Sequence, residues 1–269
     1  MADDATPLDL LIDSVQRFNA WRDEHDGEVV DLSGADLSER DLAQANLRGV
    51  KLSHADLRGT NLGGADLDGA DLEDADLGDA RLVGASLVGA NLVGARLVRA
   101  NLAGASLREA ALHLADLRHC YLVGADMRSA VLSGATLNLA NVAHAQLDQA
   151  QLNHATLAHA SLWGSSMQYA TFSGADLSSV NFSGAELIGA NLADADLRDA
   201  DLQSARMGQV NLRHADVRGA SFVGADLADT DFRLALTDGA DFSEAQHMGD
   251  ARMEPPSIDE IDWGTGTPG

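Results

Sequence analysis

The chain has 269 residues, with 42 acidic and 18 basic side chains and a formal net charge of -24; such a charge opposes binding to nucleic acid or to anionic membranes, whose phosphates it would repel. No run of 18 apolar residues occurs, so no membrane-spanning helix is expected. One cysteine, Cys120, excludes an intrachain disulfide, and the start MADDATPLDLL lacks a basic, apolar leader, which points to the cytoplasm.

Residues 1–29 predict a capping helix and its lead-in. Leu8, Leu11, Val15 and Phe18 fall on one helical face, with Thr6 as N-cap and Pro7 at the first helical position. Trp21 is expected to join this plug over the end of whatever follows.

From Leu32 to Phe242 every fifth residue is apolar, without one insertion or deletion. Of these 43 positions 32 are Leu, five Phe, three Met and two Val; only Thr237 is polar. Two residues before each, 34 of the 43 positions are Ala. A period of five fits neither a helix nor a long strand. Alanine and leucine two apart face one way on an extended backbone. The three-residue step to the next alanine reverses the face unless the chain turns, and its residues are often Gly, Ser, Asp or Asn, which suit turns. Each unit is therefore a short side and a corner, and the chain an all-β solenoid with a leucine–alanine interior. Three regions result: residues 1–29 as cap, 30–246 as solenoid, and 247–269 as a partly disordered tail.

The units ADLSE, ANLRG, ADLRG, ADLDG and ANLVG resemble the pentapeptide-repeat family, whose pattern is A-(D/N)-L-x-x. The resemblance implies a right-handed quadrilateral β-helix with four sides per coil. Forty-three units then make about 10.75 coils and, at ~4.8 Å per stacked strand, a rod on the order of 50 Å long.

Two inward slots hold unusual residues. Arg40 takes a small-residue position, and the cost of burying a guanidinium predicts a local distortion that lets it reach Asp23, Glu24 or Asp26. Cys120 reads as a buried alanine substitute. The nine histidines form no convergent cluster at this register, since His119 and His159 share a corner two coils apart, roughly 10 Å. Asp66, Asp71 and Asp76 precede inward leucines on successive sides and so do not converge on a calcium ion. No metal, cofactor or catalytic constellation is expected, and the chain reads as a non-enzyme.

Charge is distributed in three zones. Residues 31–80 carry 12 acids and 4 bases, residues 81–170 carry 4 acids and 6 bases, and residues 171–245 carry 13 acids and 5 bases. The first zone spans roughly 12 Å, over which B-DNA holds about seven charges, so its net -8 matches DNA in density. The last zone, also -8, spans about 18 Å against about eleven for DNA. The middle does not resemble DNA. Residues one coil apart differ by twenty, which aligns Asp36, Asp56, Asp76, Asp176, Asp196 and Asp216 in one outward column. In the middle, Tyr121, Val123 and Trp163 share another side and form an apolar patch.

In the tail, Ser257 and Glu260 suggest a capping box, and Ile258, Ile261 and Trp263 suit covering the C-terminal end or pairing it. The family resemblance implies a non-enzymatic decoy like the quinolone-resistance and toxin-immunity pentapeptide proteins, which bind DNA gyrase or topoisomerase IV as DNA mimics and protect it from drug or toxin. On that reading the acidic column meets the partner, and the C-terminal ends pair into a homodimer. The alternative is a generic interaction scaffold that holds a protein through Tyr121, Val123 and Trp163 or through its ends.

Overall fold

The structure, a computed structural model, describes residues 5–253. Single-residue parallel β-bridges join each outward residue to the one twenty positions on, from Asp31↔Lys51 to Asp226↔Gln246. A coil thus contains twenty residues and four sides, and the chain is a β-solenoid. On each side the ladder is carried by three bonds, for example Leu137 N–H to Thr156 O (2.6 Å), Leu139 N–H to Ala158 O (3.1 Å) and Thr156 N–H to Ala135 O (2.9 Å). The corner is closed by Ala140 N–H to Leu137 O at 3.0 Å.

Every corner from residue 34 to residue 244 places its second turn residue at positive φ, between 53° and 71°. Type II turns demand this at their third residue, which explains why glycine recurs there. Twenty-five of those 43 corner residues are nevertheless not glycine, and His54, His119, His144, His154, His159 and His214 are among them. Histidine, like Asn and Asp, enters the left-handed region more readily than most residues. Six of the nine histidines thus occupy corners of the wall.

The inward leucines and alanines are almost all fully buried in one continuous core. Each leucine contributes roughly 1.5–3 kcal/mol by leaving water. Where the alanine slot holds a buried polar group, all four cases use one solution. Thr60, Cys120, Ser165 and Thr230 each donate to the carbonyl 23 residues earlier, that of Leu37, Leu97, Val142 and Met207, at 2.7–2.8 Å. Burial pushes the Cys120 thiol up to about 12, which keeps it protonated and inert.

The N-terminal segment forms two helices, α1 (Pro7–Asp13) and α2 (Val15–Glu24), where the apolar spacing suggested one. Ser14 divides them. Its extended backbone ends α1, and its hydroxyl accepts Arg17 N–H to start α2, as serine does at N-caps. Thr6 caps α1 in a reciprocal box with Asp9. Leu11 and Phe18 are buried in the solenoid's core cluster, and Trp21 stacks on His25 at 4.4 Å between ring centroids. Asn19 imitates a strand: its amide donates to Gln44 O at 2.9 Å and accepts from Asn46 N–H at 2.8 Å.

Arg40 differs from its expectation. It lies exposed in the first coil, where its slot is not covered by a preceding coil, and no ion pair joins it to Asp23, Glu24 or Asp26. Toward the other end, pairing runs past residue 246 to Asp231↔Arg252, a spacing of 21, so one extra residue enters the last coil. There Leu234 and Leu236 are exposed, and Ala235, Ala240 and Phe242 are only partly buried. Ser257, Ile258, Glu260, Ile261 and Trp263 lie outside the described residues.

Candidate functional surfaces

Two open recesses of about 390 and 370 Å³ lie near the ends of the solenoid, one lined by polar groups including Asp229, Asp231 and Arg252, the other by α1 with Asp41 and Ala43. Among the described residues no three His, Cys, Asp or Glu side chains are placed to hold a metal ion, and no helix is long and apolar enough to cross a membrane.

The acidic column lies on the second side of the coil. Bridges connect Asp36 to Asp56, Asp56 to Asp76, Asp176 to Asp196 and Asp196 to Asp216. Each of these carboxylates accepts the backbone N–H two residues on, at 3.0–3.2 Å. The (D/N) of the repeat is therefore structural, because it satisfies a turn donor that the inter-coil ladder leaves free. Asparagine does the same on the third side, at Asn61, Asn101, Asn141 and Asn181. Turn geometry does not distinguish the two residue types, yet the second side carries seven Asp and no Asn at its eleven positions from 36 to 236. The charge there is additional to the fold's requirement.

Part of that charge is compensated within the same coil. An arginine two residues after an aspartate projects from the same side, and Asp56–Arg58, Asp196–Arg198 and Asp216–Arg218 form two-point ion pairs. The arginines hold these carboxyls below the usual range. Asp116–Arg118, Asp126–Arg128 and Asp231–Arg233 repeat the arrangement. Asp36 and Asp176 instead bond the hydroxyls of Ser38 and Ser178, at 2.6 and 2.7 Å. Asp76 has Arg96 of the next coil at 4.0 Å. The pairs were legible as D-x-R with an apolar centre, since alternation on an extended side puts both ends outward; counting charge by zone passed over them.

The third side differs in kind. From Asn101 to Gly184 its outward and corner residues are Asn, Ala, Gly, Tyr, Val, His, Ser and Trp, with no formal charge over five coils. Tyr121, Val123 and Trp163 all lie here and are 55%, 37% and 50% exposed. Val123 and Trp163 are two coils apart, roughly 10 Å. The Trp163 ring meets His144 edge-on at 4.4 Å, and His144 leans over Gly164, where a Cβ would come within 3.0 Å of Nδ1. Trp163 is thereby braced in place. Leu114, Leu139 and Tyr169 are exposed at corners elsewhere, and the first side is equally free of formal charge from Asn91 to Gly174; what sets the third side apart is that Tyr121, Val123 and Trp163 share it.

Comparison with a family model agrees with the repeat. Residues 31–243 match, in overlapping copies, the family model described as pentapeptide repeats. No curated protein matches the sequence significantly. Among solved structures, HetL, a pentapeptide repeat protein involved in heterocyst differentiation regulation from the cyanobacterium Nostoc sp. strain PCC 7120, is 29% identical with a TM-score of 0.49, covering 87% of this chain and 95% of its own. QnrB1, a plasmid-mediated fluoroquinolone resistance protein, is 19% identical with a TM-score of 0.35, covering 80% and 91%. Rfr23 from the cyanobacterium Cyanothece 51142 is 25% identical with a TM-score of 0.29, covering 39% and 64%.

Proposed function

The chain belongs to the pentapeptide repeat family, and from that premise we propose that it is a non-enzymatic, cytoplasmic protein-binding rod whose acidic zones occupy a basic, DNA-handling surface of a partner, with a type II topoisomerase such as DNA gyrase as the candidate. The observation that carries this reading is the preference for Asp over Asn along the second side, where either residue would close the turn. Stacked bridges hold Asp36, Asp56 and Asp76, and again Asp176, Asp196 and Asp216, in two runs at ~4.8 Å intervals. The two zones of net -8 lie toward opposite ends of the rod, so a partner reads two acidic stretches with a gap between them.

The intra-coil pairs refine where a partner cation gains most. Asp36 and Asp176 have no arginine in their own unit, whereas Asp56, Asp196 and Asp216 already hold one. Long-range attraction follows net charge, and short-range pairing follows the unpaired groups. Purified protein added to a gyrase supercoiling and drug-protection assay tests the reading. Binding or protection at micromolar concentration is the expected result, weakened about tenfold by D36K with D176K and less by neutralising the paired Asp56 and Asp196. No binding and no protection at micromolar concentration would overturn it.

The second reading, a scaffold that binds through Tyr121, Val123 and Trp163, is favoured by the uncharged third side. It predicts that W163A abolishes partner capture while D36K with D176K leaves it intact.

A further inference from the structure

Along the third side, from Arg81 to Asp201, the formal charge is antisymmetric about Asn141. Its bridging column reads Arg81, Asn101, Tyr121, Asn141, Ser161, Asn181, Asp201. One cation closes one end of the neutral strip and one anion closes the other, each three coils from Asn141. The adjoining outward column reads Val83, Ala103, Val123, Ala143, Trp163, Ser183, Gln203. We propose that this side is the interface of an antiparallel, side-by-side homodimer, with a second copy of the chain as its occupant.

Symmetry selects the antiparallel arrangement. When two copies meet face to face about a twofold axis that lies in the interface and crosses the rod at Asn141, each column faces itself with its direction reversed. Arg81 then opposes Asp201 at both edges of the contact, Val123 opposes Trp163 twice, and Ala143 meets Ala143. With the axis along the rod, Arg81 faces Val83 and Asp201 faces Gln203, which leaves four charges in the interface without partners. The parallel dimer is excluded by that cost.

Arg81 and Asp201 suit the role. Arg81 is exposed and its guanidinium has no ion-pair partner among the described residues. Asp201 accepts Gln203 N–H at 3.0 Å and the Ser183 hydroxyl at 2.8 Å, with no cation in reach among the described residues. One corner of this side reads Gly84, Gly104, Gly124, His144, Gly164 and Gly184, so the His144 ring is the one side chain that a second rod meets along it. Trp163, held by His144, is a rigid anchor of the type that dominates interface energetics.

The size of the strip sets the strength. Arg81 and Asp201 are six coils apart, about 29 Å, and a side of five residues is at most ~13 Å across. The flat footprint is about 380 Å² per copy, against the ~800 Å² per partner of a standard interface. The dimer is therefore reversible and depends on concentration.

Sedimentation equilibrium of the full chain across the micromolar range tests the proposal. The wild type is expected to show a monomer–dimer equilibrium. R81D and D201R, each of which sets like charges against one another, are expected to weaken it about tenfold or more. The double variant R81D/D201R re-forms both pairs with reversed polarity and is expected to return to within about threefold of wild type. Both exchanged residues are on the outer wall, so far-UV circular dichroism should be unchanged. A143C, next to the axis, should give disulfide-linked dimers on mild oxidation, since Cys120 is buried. Monomer at every concentration would overturn the proposal. So would a dimer unaffected by R81D, which would place the contact on another surface such as the C-terminal end, or failure of the double variant to restore association. None of these results depends on topoisomerase binding.

Discussion

The middle of the rod and its two ends share one interior and differ in their walls. Leu137 in the middle, Leu57 near the start and Leu227 near the finish are all fully buried, and their inward columns follow one five-residue register. Outside, residues 31–80 and 171–245 are acidic and residues 81–170 carry a slight positive excess. The difference teaches that this fold is fixed by two positions in five. The other three are constrained only by the turn, so charge can be concentrated or removed along the rod at little cost to folding.

The largest expected effect comes from breaking what the regions share. L137D places a carboxylate in a slot with no polar partner, at a cost of several kcal/mol, and should unfold or aggregate the protein. The same residue introduced as T237D should be tolerated, because that slot in the last coil is only partly buried. Thermal unfolding followed by circular dichroism distinguishes the two, and equal tolerance at both sites would contradict the inward register. A smaller loss, about 1 kcal/mol, is expected for T60V, which keeps the shape but removes the bond to Leu37 O. The Leu37 carbonyl retains Arg40 N–H as donor at 3.3 Å, so no acceptor is left bare; a loss above ~3 kcal/mol in denaturant titration would mean that this bond carries more than one hydrogen bond's share.

The smallest effect sharpens the wall. Arg233 holds the Asp231 carboxyl at about 2, below its ordinary 3.8. The folded state therefore binds fewer protons than the unfolded state in this window, and the stabilisation is present above about pH 4 and lost as pH falls toward 2. Thermal midpoints measured from pH 5 to pH 2 should fall less for R233Q than for wild type. Parallel curves would show that the pair contributes nothing to stability, an outcome common for exposed ion pairs.

Much of the architecture was legible because a solenoid uses the same local rule in every coil. The leucine and alanine columns, their inward direction and the alignment of residues twenty apart follow from a period of five with an internal step of two. The aligned aspartates and the shared side of Tyr121, Val123 and Trp163 follow from the same count. The split at Ser14 was less legible, since apolar spacing runs through it and only the competition of a serine hydroxyl for backbone N–H breaks the helix. The exposure of Arg40 depended on which part of the first coil the helices cover.

The sequence by itself determined the solenoid, its interior and the net charge of each zone, because these are properties of a repeat and of composition. Only the tertiary structure decided what the carboxylates do. It showed one oxygen of each column aspartate closing a turn and placed an arginine on four of the seven, Asp56, Asp116, Asp196 and Asp216. Contacts of that kind depend on where side chains are carried in space, which no local pattern records.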